Sequence, residues 1–168
     1  MIFFETERLL FQSITEKEIL DLLEIYRDTE VMRFIPNSKI LWKKENLSEK
    51  YEKTNVNYDL GFGIFAVICK ENKQLIGEAG FFNSFENLRQ LELGYILKSD
   101  CWGKGFGTEI CKGLIEYGFS KLNLQKMVAR MYQENLASEQ VSKKCGMTKV
   151  KEGRDLNGDL FVQYEINS

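Results

Sequence analysis

The sequence of 168 residues contains no histidine, and this absence narrows the chemistry open to it. Ser-His-Asp and Cys-His nucleophilic sites, HExxH metalloprotease sites and His-ligated zinc deaminase sites are all excluded. Any proton transfer must use a carboxylate, tyrosine, lysine, cysteine, serine, water or the substrate itself. The four cysteines form no CxxC pair. We therefore expect free thiols, with no structural zinc site, no thioredoxin-like motif and no bound metal.

Neither sign of charge dominates, because 23 Lys and Arg residues face 25 Asp and Glu residues for a net charge of −2. Nucleic-acid-binding proteins normally carry a basic excess, so no nucleic-acid partner is expected. No apolar run approaches the roughly 18 residues of a membrane helix. The first seven residues also lack the basic flank and apolar stretch of a signal peptide. We expect a cytoplasmic protein with no membrane partner.

The chain contains one proline, Pro36, and neither a repeat nor a low-complexity tract, so residues 1–168 are expected to form one domain. Apolar periodicity predicts strands at 8–14, 63–70, 74–83, 89–97, 127–132, 148–152 and 160–166. It predicts helices at 15–28, 42–58, 108–121 and 136–145. Thr15 and Glu18 have capping-box spacing, and Asn157-Gly158 is a hairpin turn signal. The order predicts a mixed α/β domain rather than a doubly wound parallel sheet.

A glycine-rich turn, WGKGFGT at residues 102–108, lies between a predicted strand and a predicted helix. Backbone amides at a helix start bind anions, aided by the positive end of the helix dipole. Two better-known phosphate loops do not fit. A Walker loop requires glycine where Lys98 stands, and a dinucleotide fingerprint requires glycine where Thr108 stands. The alternative is a tight turn that only lets the helix pack closely on the sheet.

This turn and its neighbours resemble a known family. Residues 92–97 (ELGYIL) and 102–109 (WGKGFGTE) resemble motif A of the GNAT superfamily of acetyl-CoA-dependent N-acetyltransferases. Trp102 replaces that superfamily's usual Gln or Arg, as in its ribosomal-protein N-terminal (Rim-type) branch. Residues 135–138 (NLAS) and 143–147 (KKCGM) resemble motif B, and residues 6–10 (TERLL) resemble the branch's first strand. The resemblance thus spans nearly the whole chain.

The resemblance implies a mixed, mostly antiparallel central sheet flanked by helices. In that fold, the strand ending near Leu97 splays from the strand beginning near Met127 and opens a slot for acetyl-CoA, the co-substrate. Pantetheine would bond to main-chain groups of the strand, and pyrophosphate would meet the amides of the turn. Lys104 would add charge near the phosphates, and Lys143 is a candidate partner of the adenosine phosphate, although exposed lysines are commonly only solvated. The expected CoA-binding residues are Ile96, Leu97, Trp102, Gly103, Lys104, Gly105, Phe106, Gly107, Thr108, Asn135, Ser138 and Lys143.

Glu92 is the expected base, acting directly or through a water, because attack on a thioester needs a neutral amine and no histidine is present. Burial beside Leu91 and Leu93 would raise the pKa of Glu92 towards the working range. The alternative is a solvent-facing glutamate on the polar face of its strand. Glu78, on the adjacent strand, is a second and weaker candidate for the base, and a structural role is the favoured interpretation for it.

Ser138 is the expected donor to the leaving thiolate. Many superfamily members carry a tyrosine four residues before the glycine of motif B, but Ser142 stands there. The Ser138 hydroxyl fits the Rim-type branch and would hydrogen-bond the thiolate or relay a proton to it. Alternatively, Asn135 and Ser138 only cap the helix that follows.

These features predict transfer of an acetyl group from acetyl-CoA to a primary amine by direct attack in a ternary complex. The acceptor would be a protein N-terminus or a small-molecule amine, and the chain would act as a monomer or homodimer. Residues 34–36 and 155–159 are expected to wall the acceptor side. The alternative function is a CoA-binding regulatory module with the same fold and little turnover.

Overall fold

A computed structural model describes residues 1–36 and 40–168. The strands are β1 (Ile2–Glu5), β2 (Leu9–Ser13), β3 (Ile64–Cys69), β4 (Leu75–Phe82), β5 (Gln90–Leu97), β6 (Lys126–Tyr132), β7 (Thr148–Arg154) and β8 (Leu160–Asn167). The α-helices are α1 (Glu16–Arg27), α2 (Thr29–Met32), α3 (Lys44–Thr54), α4 (Phe106–Ser120) and α5 (Leu136–Lys144). Short 3-10 helices lie at Tyr58–Leu60 and Ser99–Cys101.

The eight strands form one sheet in the order β1-β2-β3-β4-β5-β6-β8-β7. Within the described residues, β5 and β6 are the only parallel neighbours, and every other pair is antiparallel. This arrangement confirms the predicted mixed, mostly antiparallel fold. No helix in residues 1–36 or 40–168 combines the length and apolarity needed to cross a membrane.

Both faces of the central sheet are covered, and β3 shows why its sequence is apolar throughout. Phe65 and Val67 pack in the cluster that includes the buried side of α4. Ile64 and Ala66 point the other way, into the cluster beneath α1 and α3. Successive strand residues face opposite sides of a sheet, so a strand buried on both faces has no polar alternation.

Three of the differences from the predicted elements have local causes. The edge strand β1 was not predicted, because it has four residues and Ile2 at its start is exposed. Helix α3 ends at Thr54 rather than at residue 58, because the Asn55 side chain accepts a hydrogen bond from the Ile64 amide (2.8 Å). Helix α4 begins two residues early, at Phe106. The φ of +81° at Gly105 lets the chain turn directly into the helix.

The capping box and the hairpin turn were predicted correctly. Thr15 and Glu18 form the reciprocal hydrogen bonds that start α1. The turn between β7 and β8 contains Asn157-Gly158, with Gly158 at φ +87°. The Asp155 carboxylate accepts hydrogen bonds from the amides of Asn157 (2.8 Å) and Asp159 (2.9 Å). This turn lies beside the carboxyl end of β6, where Asp155 and Leu156 line a cavity.

Candidate active site

A slot opens between β5 and β6, because the two strands pair only at their beginnings. Gln90, Leu91 and Glu92 are opposite Lys126, Met127 and Val128. Beyond these pairs β5 continues to Leu97 and β6 to Tyr132 with no further pairing between them. The free edge of β5 therefore faces a gap. Predicted residues Ile96 and Leu97 lie on this strand and pair through its other edge with Glu78 and Gly77 of β4.

The glycine-rich turn leads from the end of β5 into α4 and leaves backbone donors free. Gly105 is the N-cap of α4 and provides no capping side chain, so the amides of Phe106, Gly107 and Thr108 have no side-chain partner among the described residues. Gly103 has φ +71°, and a Cβ there would meet nothing within 4 Å. The turn thus exposes an uncapped helix start, an arrangement that binds phosphate oxygens.

Trp102 and Lys104 connect the turn to its surroundings. The Trp102 indole donates a hydrogen bond to the Leu97 carbonyl (3.1 Å), while its ring is about half exposed. The Lys104 carbonyl accepts a hydrogen bond from Arg8 (3.1 Å), and the Lys104 side chain is exposed. Trp102 therefore fixes the turn to the end of β5, and Lys104 presents an exposed positive charge near the helix start.

Arg8 and Glu109 hold the glycine-rich turn in place through an ion pair and hydrogen bonds, a role that sequence reasoning missed. The Arg8 guanidinium bonds to the Glu109 carboxylate (2.6 Å) and lies 4.3 Å from the centre of the Phe106 ring. Glu109 also accepts hydrogen bonds from the Thr6 hydroxyl (2.6 Å) and the Arg8 amide (2.8 Å). Partial burial acts to raise the pKa of Glu109, but these hydrogen bonds outweigh it and hold the pKa below its usual value. Both residues lie inside segments that carry the family resemblance, TERLL at 6–10 and WGKGFGTE at 102–109, and this position could have identified them.

Glu92 lies at the point where β5 and β6 separate, in surroundings that differ from those expected. Its carboxylate accepts two hydrogen bonds from the Arg130 guanidinium of β6, one at 3.0 Å. The expected environment of apolar neighbours was wrong, because a cation faces the carboxylate directly. The hydrogen bond with Glu92 raises the pKa of Arg130. Arg130 was not predicted, since it is 38 residues away along the chain.

Asn135 and Ser138 lie at the start of α5 and have separate roles there. The Asn135 side chain accepts a hydrogen bond from the Ser138 amide (3.2 Å) and so caps the helix. The Ser138 hydroxyl lies near the phenol of Tyr95, a residue of β5, and acts to lower the pKa of that phenol. Burial raises the pKa of Tyr95 by more than Ser138 lowers it, so the phenol stays protonated at neutral pH.

Tyr95 also contacts the glycine-rich turn, and this contact joins the two motifs. A Cβ built on Gly107 would lie 3.4 Å from the Tyr95 ring and hydroxyl. The absence of a side chain at Gly107 therefore lets the first turn of α4 lie against Tyr95. Tyr95 was overlooked within the quoted segment ELGYIL, although its place on the strand facing the slot was a usable signal.

Lys143 is not brought to the glycine-rich turn by a direct contact. It lies on α5, half exposed, and pairs with Glu139 at 2.8 Å one turn earlier. The hydrogen bond with Glu139 raises the pKa of Lys143. Glu139 also accepts a hydrogen bond from the Tyr164 hydroxyl (2.7 Å). The expected phosphate partner is thus engaged within its own helix.

A cavity of about 830 Å³ brings together some of these groups, whereas Leu97, the glycine-rich turn at 102–108 and Lys143 do not line it. Its walls include Glu92, Ile96, Asn135 and Ser138 from the predicted site, together with Tyr95. Residues 34–36 and Asp155, from the two segments expected to wall the acceptor side, also line it. In the described ranges, no cluster of three or more His, Cys, Asp or Glu residues could hold a metal ion.

A buried carboxylate that lines the cavity, Glu78 of β4, is held by side chains of two helices, α1 and α3. It is 3% exposed and accepts hydrogen bonds from the Tyr26 hydroxyl of α1 (2.6 Å) and from Tyr51 of α3. Lys50, also on α3, donates to it at 3.0 Å. Burial raises the pKa of both tyrosines, so they remain protonated donors. These contacts agree with the expected structural role, but sequence reasoning did not identify the partners.

Comparison with known proteins agrees with this geometry. The family model for the acetyltransferase (GNAT) domain matches residues 8–148. An uncharacterized N-acetyltransferase of Bacillus subtilis, YnaD, is 30% identical over 146 residues, which cover 86% of this chain and 81% of that protein.

Two solved structures illustrate the shared fold. RimL, a ribosomal-protein alpha-N acetyltransferase in complex with coenzyme A, superposes with a TM-score of 0.86 at 15% identity, over 99% of this chain and 98% of that one. Spermidine N-acetyltransferase from Vibrio cholerae, in complex with CoA and spermine, gives a TM-score of 0.82 at 18% identity, over 96% of each chain. With the family model covering most of its length, the chain belongs to the GNAT family and is an acetyl-CoA-dependent N-acetyltransferase.

Proposed function

We propose that this enzyme transfers the acetyl group of acetyl-CoA directly to a primary amine of a small molecule or a protein N-terminus, within a ternary complex. The observation that carries the proposal is the juxtaposition of two features. The strands β5 and β6 separate after Glu92 and Val128, and the slot so formed ends beside the uncapped start of α4. An extended pantetheine arm and a pyrophosphate match these two features in that order.

The CoA-binding groups follow from the same geometry. The pyrophosphate accepts hydrogen bonds from the amides of Gly103 to Thr108, with the positive end of α4 adding to the attraction. Pantetheine lies along the free edge of β5 and bonds to main-chain groups of Ile96 and Leu97. Trp102, held against the Leu97 carbonyl, keeps the turn at the correct distance from the strand. The thioester then lies near Ser138 and Tyr95 in the cavity.

Acetyl transfer forms a bond between the amine nitrogen and the carbonyl carbon and breaks the carbon–sulfur bond. The attacking nitrogen gives up one proton, and the departing thiolate takes one up. Glu92 accepts the first proton, directly or through a water, using the carboxylate lone pairs that Arg130 leaves free. Ser138 donates a hydrogen bond to the sulfur, which takes up its proton from water, and the protonated Tyr95 phenol lies beside this hydroxyl.

The role of Glu92 is tested by Glu92→Gln, with Glu165→Gln as the matched control. Glu165 lies on β8, two strands away from Glu92 in the sheet, and pairs with Lys126 at 3.0 Å. Its side-chain exposure is 18%, against 15% for Glu92. Loss of the proton acceptor should lower turnover by roughly 10²–10⁴-fold, the usual contribution of general base catalysis. Glu165→Gln should keep wild-type turnover, and both variants should still bind CoA.

The measurement is the rate of thiol release across pH with amines of different pKa. An enzyme base gives a rising limb at a fixed pH, whereas substrate deprotonation gives a limb that moves with the pKa of the amine. If Glu92→Gln behaves like Glu165→Gln and the limb follows the amine, Glu92 only holds Arg130. The enzyme then works by positioning amines that are already neutral.

A further inference from the structure

The ammonium group of Lys50 occupies a site with the composition of a cation-binding pocket. It donates to the buried Glu78 carboxylate and to the Tyr26 hydroxyl. It also lies 4.7 Å from the ring centre of Tyr26 and 4.5 Å from that of Tyr51. A carboxylate flanked by aromatic rings is the arrangement by which proteins bind ammonium ligands. Here a side chain of the same protein fills it.

This filled site belongs to the cavity where the acceptor is proposed to bind. Tyr26, Lys50 and Glu78 all line that cavity. The Lys50 side chain is 24% exposed and the Glu78 side chain 4% exposed. A ligand in the cavity therefore meets the lysine before it can reach the carboxylate.

The other carboxylates that line the cavity are also engaged. Glu92 accepts two hydrogen bonds from Arg130. Asp155 accepts from the amides of Asn157 and Asp159. Among the described lining residues, Glu78 and Glu92 each face a cationic side chain, Lys50 and Arg130 respectively. The third cation, Arg154, donates to the Gly158 carbonyl (2.7 Å), so among the described residues Asp155 has hydrogen-bond donors but no cationic partner. A second ammonium group in the cavity therefore finds Glu78 and Glu92 already paired with cations.

The rest of the wall is largely apolar and aromatic. Side chains from the 34–36 segment, the chain before α3, the end of β4, the β7–β8 turn and β8 contribute to it. They are Phe34, Ile35, Trp42, Phe82, Leu156 and Phe161. Binding against such a wall is favoured when the ligand covers apolar surface and disfavoured when an unpaired charge on the ligand loses its water.

We infer that the acceptor is a primary amine with an apolar body and a single cationic group, and that Lys50 excludes acceptors carrying a second ammonium group. The inference rests on the proposed function and names the acceptor class for it. A second ammonium in the cavity would lose water, find Glu78 already neutralised, and lie near the like charge of Lys50.

A matched pair of substrates tests the inference on the wild-type enzyme. Hexylamine and hexane-1,6-diamine have the same carbon chain and differ by one terminal ammonium group. With acetyl-CoA saturating, kcat/KM from thiol release should favour hexylamine by about tenfold or more, since juxtaposed like charges are strongly disfavoured. A diamine that equals or exceeds hexylamine overturns the inference while leaving the proposed function intact. Thiol release with no primary amine overturns the proposed function, and the inference with it.

Lys50→Met tests the exclusion directly, because it keeps an apolar stem and vacates the cation site. The ratio of diamine to hexylamine kcat/KM should rise by about tenfold or more, as the substrate's second ammonium takes the place of Lys50. The control is Lys53→Met on the same helix, where the lysine pairs with Glu49 at an exposed position and the ratio should not change. An unchanged ratio in a folded Lys50→Met variant contradicts the exclusion. If that variant does not fold, the wild-type comparison still decides the inference.

Discussion

The start of α5 allows a stringent test, because the structure separates the roles of two residues that the sequence could not. The Asn135 side chain accepts the hydrogen bond from the Ser138 amide and is the helix cap. The Ser138 hydroxyl lies near the Tyr95 phenol instead. Asn135→Ala therefore removes the cap and should cost about 0.5–2 kcal/mol of stability. For a chain of this length, that loss lowers the melting temperature by about 1–8 °C.

Ser138→Ala should have the opposite profile. The backbone amide that Asn135 caps is unchanged, so the cap remains and the melting temperature should fall less than in Asn135→Ala. Loss of the hydrogen bond to the departing sulfur should lower turnover by roughly 10²-fold or more. Thiol release at saturating acetyl-CoA and hexylamine measures the rate, and thermal unfolding without ligand measures the stability.

Asn135→Asp is the matched control, because a carboxylate caps a helix as well as an amide oxygen does. It should restore most of the stability that Asn135→Ala loses. The reasoning is refuted if Ser138→Ala melts as low as Asn135→Ala while its turnover equals that of the wild type. In that case the Ser138 hydroxyl serves the helix and not the reaction.

Three further predictions concern the glycine-rich turn, the Arg8–Glu109 ion pair and the thiols. Gly105→Glu should abolish the rise in melting temperature that CoA gives, because it puts a carboxylate beside the phosphate-binding amides and a side chain on a residue with φ +81°. A normal CoA response would contradict the assignment of the turn. Because the pKa of Glu109 is lowered in the folded state, its bonds with Arg8 stabilise the fold fully above the unfolded carboxyl pKa of about 4.3, and this stabilisation is lost as the pH falls through the lower folded pKa. Glu109→Gln should therefore flatten the curve of melting temperature against pH in that acid range. An unchanged curve would contradict this. Cys145 should react with iodoacetamide before Cys101, because the neighbouring Cys111 thiol lowers the pKa of Cys145 whereas burial raises that of Cys101; peptide mass mapping measures the order, and earlier labelling of Cys101 would contradict it.

Sequence reasoning predicted correctly the features that depend on residues close together in the chain or on the order of the motifs along it. The capping box of α1 depends on Thr15 and Glu18, three residues apart, and the β7–β8 turn depends on Asn157 and Gly158. The mixed sheet follows from the order of strands and helices together with the family resemblance. Short-range patterns, and the order in which they follow one another along the chain, can be recognised from the amino-acid sequence alone.

The features it missed depend on contacts between distant segments. Glu92 and Arg130 are 38 residues apart, and Arg8 and Glu109 are 101 apart, so no spacing rule links them. The expected apolar surroundings of Glu92 followed from its strand neighbours alone, but the neighbouring strand supplied a cation. Lys143 was chosen for its charge and motif position, whereas its i,i+4 partner Glu139 determines where its ammonium lies.

The central claim is that one cavity brings the thioester and an amine together for direct transfer, and product stoichiometry measures this most directly. Wild-type enzyme, acetyl-CoA and hexylamine are incubated, and free CoA thiol and N-acetylhexylamine are quantified in the same samples by mass spectrometry. The account predicts that both products appear in equal amounts and only when enzyme and amine are present together. Thiol release without acetylated amine, or at the same rate when the amine is omitted, would contradict it.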